Sequence, residues 1–188
     1  DRSVSRGLGD VYKRQYINPD EKLQAEYEQK RVAYLEEKAA LAQFVGKETK
    51  TADGVKVELC ANIGKPEDAL KVVECDGEGI GLFRTEFLFM DRPQIPTEEE
   101  QFAAYKKVAE TLEGKPVIIR TLDVGGDKEI PYLALEKEEN PFLGFRAIRL
   151  CLKREDLYRP QLKALLRASA YGDIRIMVPM VTCLDELR

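Results

Sequence analysis

Histidine is absent from the sequence, although the chain has 188 residues. Its absence excludes a Ser-His-Asp triad, a Cys-His pair and a phosphohistidine within these residues, because each of them needs an imidazole. The sequence also lacks a run of about 18 apolar residues, the length that a membrane-spanning helix requires. The first residues lack the apolar segment of a secretory signal. We therefore expect neither a membrane segment nor a secretory signal.

The cysteines are few and isolated. None of the four lies in a C-x-x-C pair, and no histidine is present to complete a mixed zinc site. This spacing predicts reduced thiols in a cytoplasmic protein. The net charge of −4 gives no general affinity for nucleic acid or for an anionic membrane. Basic chemistry must therefore be local and come from a few arginines or lysines.

Residues 1–15 differ from the rest of the chain. They are polar and lack apolar periodicity, and Ser5–Gln15 resembles a translated sequencing-library adapter. An ordinary irregular or strand segment is the alternative. We predict that residues 1–15 are non-native and leave them out of the fold prediction. Asp20 then starts a charged helix that is predicted over Glu21–Phe44, rigid enough to act as a linker.

A repeated alternation of strands and helices follows the linker. Continuous apolar runs separated by helices indicate a parallel α/β sheet or barrel. Thr97 and Glu100 have the spacing of a capping box at a helix start. Because an eight-stranded barrel needs about 200–250 residues, we expect a small open α/β domain or half of a barrel. The predicted strands are Val55–Ile63, Gly79–Leu82, Val117–Val124 and Ile174–Val181.

Basic and flexible residues fall at or just after the ends of these strands or, for Arg146, before the next helix. The carboxyl ends of parallel strands form one rim, so residues from different strands would meet there. Arginine offers a planar fork of donors to phosphate or carboxylate, and paired glycines let backbone N–H groups approach an anion. Taken singly, each arginine is more often a surface salt bridge and Gly-Gly a plain turn. The predicted cationic cup contains Arg84, Arg120, Arg146 and Lys128, with Glu86, Asp123, Gly125 and Gly126 supporting it.

Four blocks of the sequence carry a family resemblance. They are GIGLFRTEFLFMDRPQIPTEEEQ from Gly79, IIRTLDVGGDKEIPYL from Ile118, NPFLGFRAIRLCL from Asn140 and RIMVPMV from Arg175. Together they resemble enzyme I of the bacterial phosphoenolpyruvate-dependent sugar phosphotransferase system. The resemblance implies the first half of a (β/α)₈ TIM-type barrel that binds phosphoenolpyruvate, preceded by a linker helix. It assigns 16–50 to the end of a phosphohistidine domain and the linker, and 51–188 to the barrel.

The resemblance also implies a role for the cup residues. Arg84, Arg120 and Arg146 match arginines that contact phosphoenolpyruvate, and Lys128 matches a lysine close to the transferring phosphate. The family passes this phosphate to its own histidine and on to the carrier protein HPr, requires Mg²⁺ and forms homodimers. The histidine, the magnesium ligands and a proton-donating cysteine would lie outside this chain. We therefore expect the chain alone to be an inactive fragment.

Two other readings stay open from the sequence. Pyruvate phosphate dikinase and phosphoenolpyruvate synthase share the barrel, but the dikinases usually have histidine in place of Phe87, and neither relative usually has the Gly125-Gly126 loop with Lys128. The second alternative is a non-catalytic module that binds an anion or a protein. Sugar-transport and nitrogen-regulatory versions of enzyme I cannot be separated from these residues.

Overall fold

The structure is a computed structural model that describes residues 16–90, 92–125, 130–133, 135 and 138–188. Residues 1–15, with their predicted non-native origin, lie outside the described part, as do Gly126 and Lys128 of the predicted cup. Contacts along the chain define two compact units, Asp1–Val45 and Gly46–Arg188. The domain boundary after residue 50 stays a prediction.

The described part of the first unit is dominated by one helix, α1, which spans Glu21–Ala42. The side chain of Asp20 caps its start by accepting a hydrogen bond from the backbone N–H of Leu23, at 2.8 Å. The helix ends two residues before the predicted Phe44. None of its residues is buried, so α1 presents charged and apolar side chains alike on its surface.

The second unit is built on a four-stranded sheet. Its strands are β1 (Cys60–Ile63), β2 (Gly79–Arg84), β3 (Val117–Arg120) and β4 (Ile174–Met177). They lie in the order β1-β2-β3-β4, and every neighbouring pair is parallel. The predicted parallel α/β architecture is thus confirmed, while its closure into a (β/α)₈ barrel stays a prediction.

Strand lengths differ from the sequence prediction in an instructive way. β2 extends to Arg84, so this arginine is a strand residue rather than part of the following loop. β3 ends at Arg120 instead of Val124. Residues 121–124, which follow it, have no register partner in a neighbouring strand. β1 begins only at Cys60, since Lys56 pairs with Lys50 in a separate antiparallel bridge.

In the described part of this unit, four α-helices accompany the sheet: α2 (Asp68–Glu74), α3 (Glu98–Thr111), α4 (Ile148–Lys153) and α5 (Glu155–Ala168). The predicted capping box opens α3. Glu100 N–H donates to Thr97 Oγ1 at 3.2 Å, and Thr97 N–H donates to Glu100 Oε2 at 2.7 Å. α4 begins at Ile148 and not earlier, because Ala147 has a φ of +52°, which a right-handed helix cannot accommodate.

Two apolar clusters hold this unit together. In the first, α3 and α5 pack on the sheet, with Tyr105 and Leu165 against Phe83 and Ile119. The second lies under the loops that follow the strands and includes Leu122, Val124, Ile148 and Cys151. The strand-end loops therefore rest on a packed layer of their own.

All four cysteines are free. Burial, reinforced by the nearby Asp123 carboxylate, raises the pKa of the Cys151 thiol to about 12. A thiol in this environment packs rather than reacts. Within the described part of the chain, no helix combines the length and apolarity that crossing a membrane requires.

Candidate functional site: an arginine cluster at the strand ends

The carboxyl edge of the sheet carries two adjacent arginines. Arg84 is the last residue of β2, Arg120 is the last residue of β3, and the two are register partners. Because the strands are parallel, both residues lie at the same end of the sheet. The predicted shared rim for these two arginines is therefore confirmed as geometry.

Arg120 lies between two carboxylates. Its Nη2 is 2.7 Å from Glu86 Oε1, and its Nη1 is 3.0 Å from Asp123 Oδ2. The Arg120 side chain is 17% exposed, whereas that of Glu86 is fully buried. One guanidinium thus uses both of its terminal nitrogens on carboxylates that follow different strands, Glu86 after β2 and Asp123 after β3.

Arg146 joins the same group through Asp123. Its Nε and Nη2 both contact Asp123 Oδ1, at 2.9 and 2.8 Å. The carboxylate of Asp123 therefore holds Arg120 on one oxygen and Arg146 on the other. The result is a continuous alternation of charge from Glu86 through Arg120 and Asp123 to Arg146, which brings together residues 60 positions apart in the chain.

Arg84 is held differently from the other two arginines. Its guanidinium lies over the Phe87 ring, 4.8 Å from the ring centroid, a cation–π contact. Among the described residues it makes no ion pair. Among the described residues of this cluster, three guanidinium groups thus accompany two carboxylates, an excess of one positive charge.

Gly125 is required by packing against this cluster. Its φ is +132°, in the region that side-chain-bearing residues rarely adopt, and a Cβ placed there would lie 2.8 Å from the Cβ of Arg146. The observed reason for this glycine is therefore the close approach of Arg146. Its predicted role in presenting a backbone N–H to an anion stays a prediction, and Gly126 and Lys128 lie outside the described residues.

The loop before α4 fixes the backbone of Arg146. Both carboxylate oxygens of Glu138 accept from the N–H of Phe145, at 2.9 and 3.1 Å. Arg149 donates to the carbonyl oxygens of Leu143 and Gly144, at 2.6 and 3.1 Å. These bonds hold the turn on which Arg146 sits, and the sequence analysis did not identify either residue.

The sequence analysis also missed Gln161 and Thr85, which lie fully buried beneath the two arginine-bearing strand ends. Thr85 Oγ1 donates to the carbonyl oxygen of Arg120 at 2.7 Å. The available signal was a glutamine on the otherwise apolar face of α5, which also carries Leu157, Ala164 and Leu165.

The expected Mg²⁺ would need several ligands close together. The described residues contain no group of three or more His, Cys, Asp or Glu residues arranged to hold a metal ion. Glu86 and Asp123, the carboxylates of the cluster, face arginines. These residues therefore do not fit a magnesium site, and no step of the mechanism is routed through a metal here.

The fold and the residues at the strand ends together define the class of protein: a parallel α/β domain with an arginine cluster at the carboxyl ends of its strands. Within that class the sequence over residues 38–188 matches the family described as "PEP-utilising enzyme, PEP-binding domain". This match covers well over half of the chain. The chain belongs to that family of phosphoenolpyruvate-utilising enzymes.

Curated relatives point to the same family. The chain is 60% identical over 172 residues to the phosphoenolpyruvate-protein phosphotransferase of Geobacillus stearothermophilus, and 56% identical over 172 residues to that of Bacillus subtilis (strain 168). Each alignment covers 92% of this chain. With the Staphylococcus aureus (strain MSSA476) protein of the same name, identity is 56% over 189 residues and covers the whole chain.

The chain spans about a third of the length of these relatives, between 30% and 32%. The resemblance to enzyme I inferred from the four sequence blocks is confirmed by these matches. The roles of individual cup residues are not tested by them.

Proposed function

We propose that the protein to which this chain belongs transfers the phosphoryl group of phosphoenolpyruvate to one of its own histidines, and from there to HPr. The observation that carries the proposal is the convergence of Arg84, Arg120 and Arg146 at one edge of the sheet. The names of the curated relatives, phosphoenolpyruvate-protein phosphotransferase, support the same activity.

The chemistry of the substrate suits this edge. Phosphoenolpyruvate carries a phosphate and a carboxylate on a three-carbon enol, and guanidinium forks bind both groups with paired hydrogen bonds. Arg84, which has no ion pair among the described residues, is the arginine best placed to accept an anion without displacing a carboxylate. Arg120 and Arg146 are pre-aligned by Glu86 and Asp123, so little reorganisation is needed when charge builds up on the substrate.

The transfer breaks the bond between phosphorus and the enol oxygen and forms a bond between phosphorus and a histidine nitrogen. The enolate that leaves takes a proton on its methylene carbon and becomes pyruvate. Catalysis of this kind depends on positioning and on neutralising charge on the phosphoryl oxygens. Because this chain has no histidine, we assign the acceptor to another part of the longer protein.

Several further features of the proposal come from the family resemblance. We assign the Mg²⁺ ligands and the proton donor to residues outside this chain, and Lys128 to the transferring phosphate. A homodimer in the cytoplasm is proposed for the longer protein. The isolated chain, which lacks an acceptor histidine, is expected to transfer no phosphate.

The proposal is tested by incubating the full-length protein with phosphoenolpyruvate labelled in its phosphate. We expect label on the protein, and we expect HPr to remove it. An Arg84→Leu variant should lose labelling, since it removes the guanidinium of the cluster that forms no ion pair with a described carboxylate. If labelling requires ATP and inorganic phosphate, a dikinase is indicated. Binding of phosphoenolpyruvate without any labelling would leave the non-catalytic module as the correct reading.

A further inference from the structure

Gln161 lies at a junction of four chain segments. It belongs to α5, is fully buried, and uses both ends of its amide. Its Oε1 accepts from the backbone N–H of Leu122 at 2.8 Å. Its Nε2 donates to Thr85 Oγ1 and to Tyr105 Oη, each at 3.2 Å. One side chain therefore contacts α3, the end of β2 and the loop after β3.

The donor and the acceptor of each hydrogen bond in this network can be assigned from the one group that can only donate. The N–H of Leu122 can only donate, so the oxygen of the Gln161 amide must face it and the NH₂ must face the two hydroxyls. The Thr85 hydroxyl then donates a hydrogen bond to the carbonyl oxygen of Arg120, at 2.7 Å. Tyr105 donates to Gln101 Oε1 at 3.1 Å, and burial raises the pKa of Tyr105, which keeps the phenol a neutral donor.

The network converges on the strand ends that carry the arginines. Thr85 directly follows Arg84, and the two backbone groups that are held, the Arg120 carbonyl and the Leu122 N–H, flank Thr121. The Gln161 amide thus joins the end of β2 to the end of β3 at the point where both arginines leave the sheet. Neither arginine contacts Gln161 itself, so any effect of this residue must act through the backbone.

The stability of the fold alone does not require a hydrogen-bonded glutamine at position 161. Replacing buried hydrogen-bonded partners by apolar groups of similar shape can be nearly neutral for stability. A fully satisfied polar network, by contrast, fixes one arrangement of the segments it joins. Gln161 satisfies three groups on three segments at once, which an apolar side chain cannot do.

We propose that Gln161 is a positioning residue of the phosphotransfer site: through Thr85 and Leu122 it sets the relative position of the strand ends that present Arg84 and Arg120. This inference rests on the proposed function. Its consequence is kinetic, because small misplacement of groups that stabilise the transition state lowers the rate far more than it loosens substrate binding.

The test uses the full-length protein with Gln161→Leu, and with Gln101→Leu as a matched control. Both glutamines are buried in the same network, but among the described residues the Gln101 side chain forms hydrogen bonds only with Tyr105 Oη and the Pro96 carbonyl, neither of which belongs to a strand end. Misplacement by about 1 Å can cost about a hundredfold in rate, and for Gln161→Leu we expect a fall in kcat of about tenfold with a smaller change in KM. Gln101→Leu should lower thermal stability to a similar degree and leave kcat unchanged.

A second variant keeps the proposal testable if Gln161→Leu does not fold. Thr85→Val preserves the shape of the side chain and removes only the hydroxyl that links Gln161 to the Arg120 carbonyl. It should reproduce the kcat loss, and the double variant should lose no more than the larger single loss, because both act on one link. Losses that multiply, or a Gln161→Leu enzyme with the kcat of Gln101→Leu, would overturn the inference.

An Arg120→Lys variant separates this inference from the proposed function. If Arg120→Lys transfers phosphate normally, the proposed site itself is wrong, and the positioning role falls with it. If Arg120→Lys is severely impaired while Thr85→Val and Gln161→Leu retain full kcat, the site stands and only the role of Gln161 is refuted.

Discussion

An arginine–glutamate pair occurs both in α1 and at the carboxyl edge of the sheet, with almost the same shortest distance between nitrogen and oxygen. Arg31 and Glu28 approach to 2.6 Å, and Arg120 and Glu86 approach to 2.7 Å. Their surroundings differ: the α1 side chains are 65% and 56% exposed, and those at the edge 17% and 0%. Water therefore screens the first pair far more than the second, and distance alone does not tell what an ion pair contributes.

The two pairs also arise differently. Glu28 and Arg31 are three residues apart, and any helix brings such positions together. Glu86 and Arg120 are 34 residues apart and meet only because β2 and β3 are parallel neighbours in a fixed register. The edge pair is therefore a product of the tertiary fold, and its loss should be felt in the fold and in the site together.

The largest expected effect is on catalysis at the edge. Arg120→Lys keeps the charge but cannot contact Glu86 and Asp123 with two nitrogens of one planar group. Loss of one preorganised donor typically lowers the rate about 10²–10³-fold, and we expect a loss of that size in phosphotransfer by the full-length protein. The measurement is transfer of labelled phosphate from phosphoenolpyruvate, with circular dichroism to verify folding.

Arg92→Lys is the contrast for this substitution. Arg92 is paired with Glu100 at 2.5 Å and belongs to the segment that leads into α3, so its loss should lower transfer much less. A folded Arg120→Lys protein with near-normal transfer would remove Arg120 from the mechanism. Equal losses of phosphotransfer in both variants would show that Arg120 is no more important for the reaction than Arg92.

The next effect is on stability. Glu86→Gln leaves the largely buried Arg120 facing an amide in place of a carboxylate, and breaking a buried ion pair costs about 3 kcal/mol. Local opening should therefore accelerate hydrogen exchange of the backbone amides in Val117–Leu122. Glu67→Gln is the control, since Glu67 pairs with Lys107 over a similar separation of 40 residues but on the surface. For it we expect about 0.5 kcal/mol or less, and comparable changes in both variants would refute the role assigned to burial.

A smaller effect should appear in the pH dependence of stability. The Thr97 N–H, and after it the Arg92 side chain, lower the pKa of Glu100 to about 2. A carboxyl group with a lowered pKa in the folded state contributes stability above its unfolded value, about 4.3, and loses this contribution as the pH falls towards 2. The difference in Tm between the wild type and Glu100→Gln should thus shrink from pH 6 to pH 3. A difference that is constant over this range would contradict the assignment.

The sequence predicted the features that local rules govern. Asp20 as a helix cap, the capping box of Thr97 and Glu100, and the parallel sheet follow from patterns a few residues long. The ranges of β1, β3 and β4 were predicted too long, because apolar runs continue beyond the ladder into segments that pack elsewhere. Leu122 and Val124, for instance, belong to the second apolar cluster rather than to β3.

The sequence predicted which residues belong to the candidate site, but not which of them contact one another. The arginines and carboxylates were identified from their positions near the ends of predicted strands and, for Arg146, before a predicted helix. That Asp123 would hold both Arg120 and Arg146 depends on three-dimensional register, and short-range patterns do not contain it. Gln161 was missed for the same reason. The role of a buried amide becomes visible only when its partners are known, here the Leu122 N–H, 39 residues away, and the Thr85 hydroxyl, 76 residues away.

The smallest expected effect on stability concerns the exposed ion pair between Glu28 and Arg31 in α1. Glu28→Gln removes the partner of Arg31, yet both side chains are largely exposed and contact water in its place. The attraction of the Arg31 guanidinium lowers the pKa of Glu28, but such a shift on an exposed group adds little to folding. We therefore expect no measurable change in the unfolding of the full-length protein, and the pair should matter still less at 1 M salt, where exposed charges are screened within about 3 Å. A clear destabilisation by Glu28→Gln, as large as that of Glu86→Gln, would mean that α1 is covered by other parts of the longer protein, and the contrast between the two pairs would then disappear.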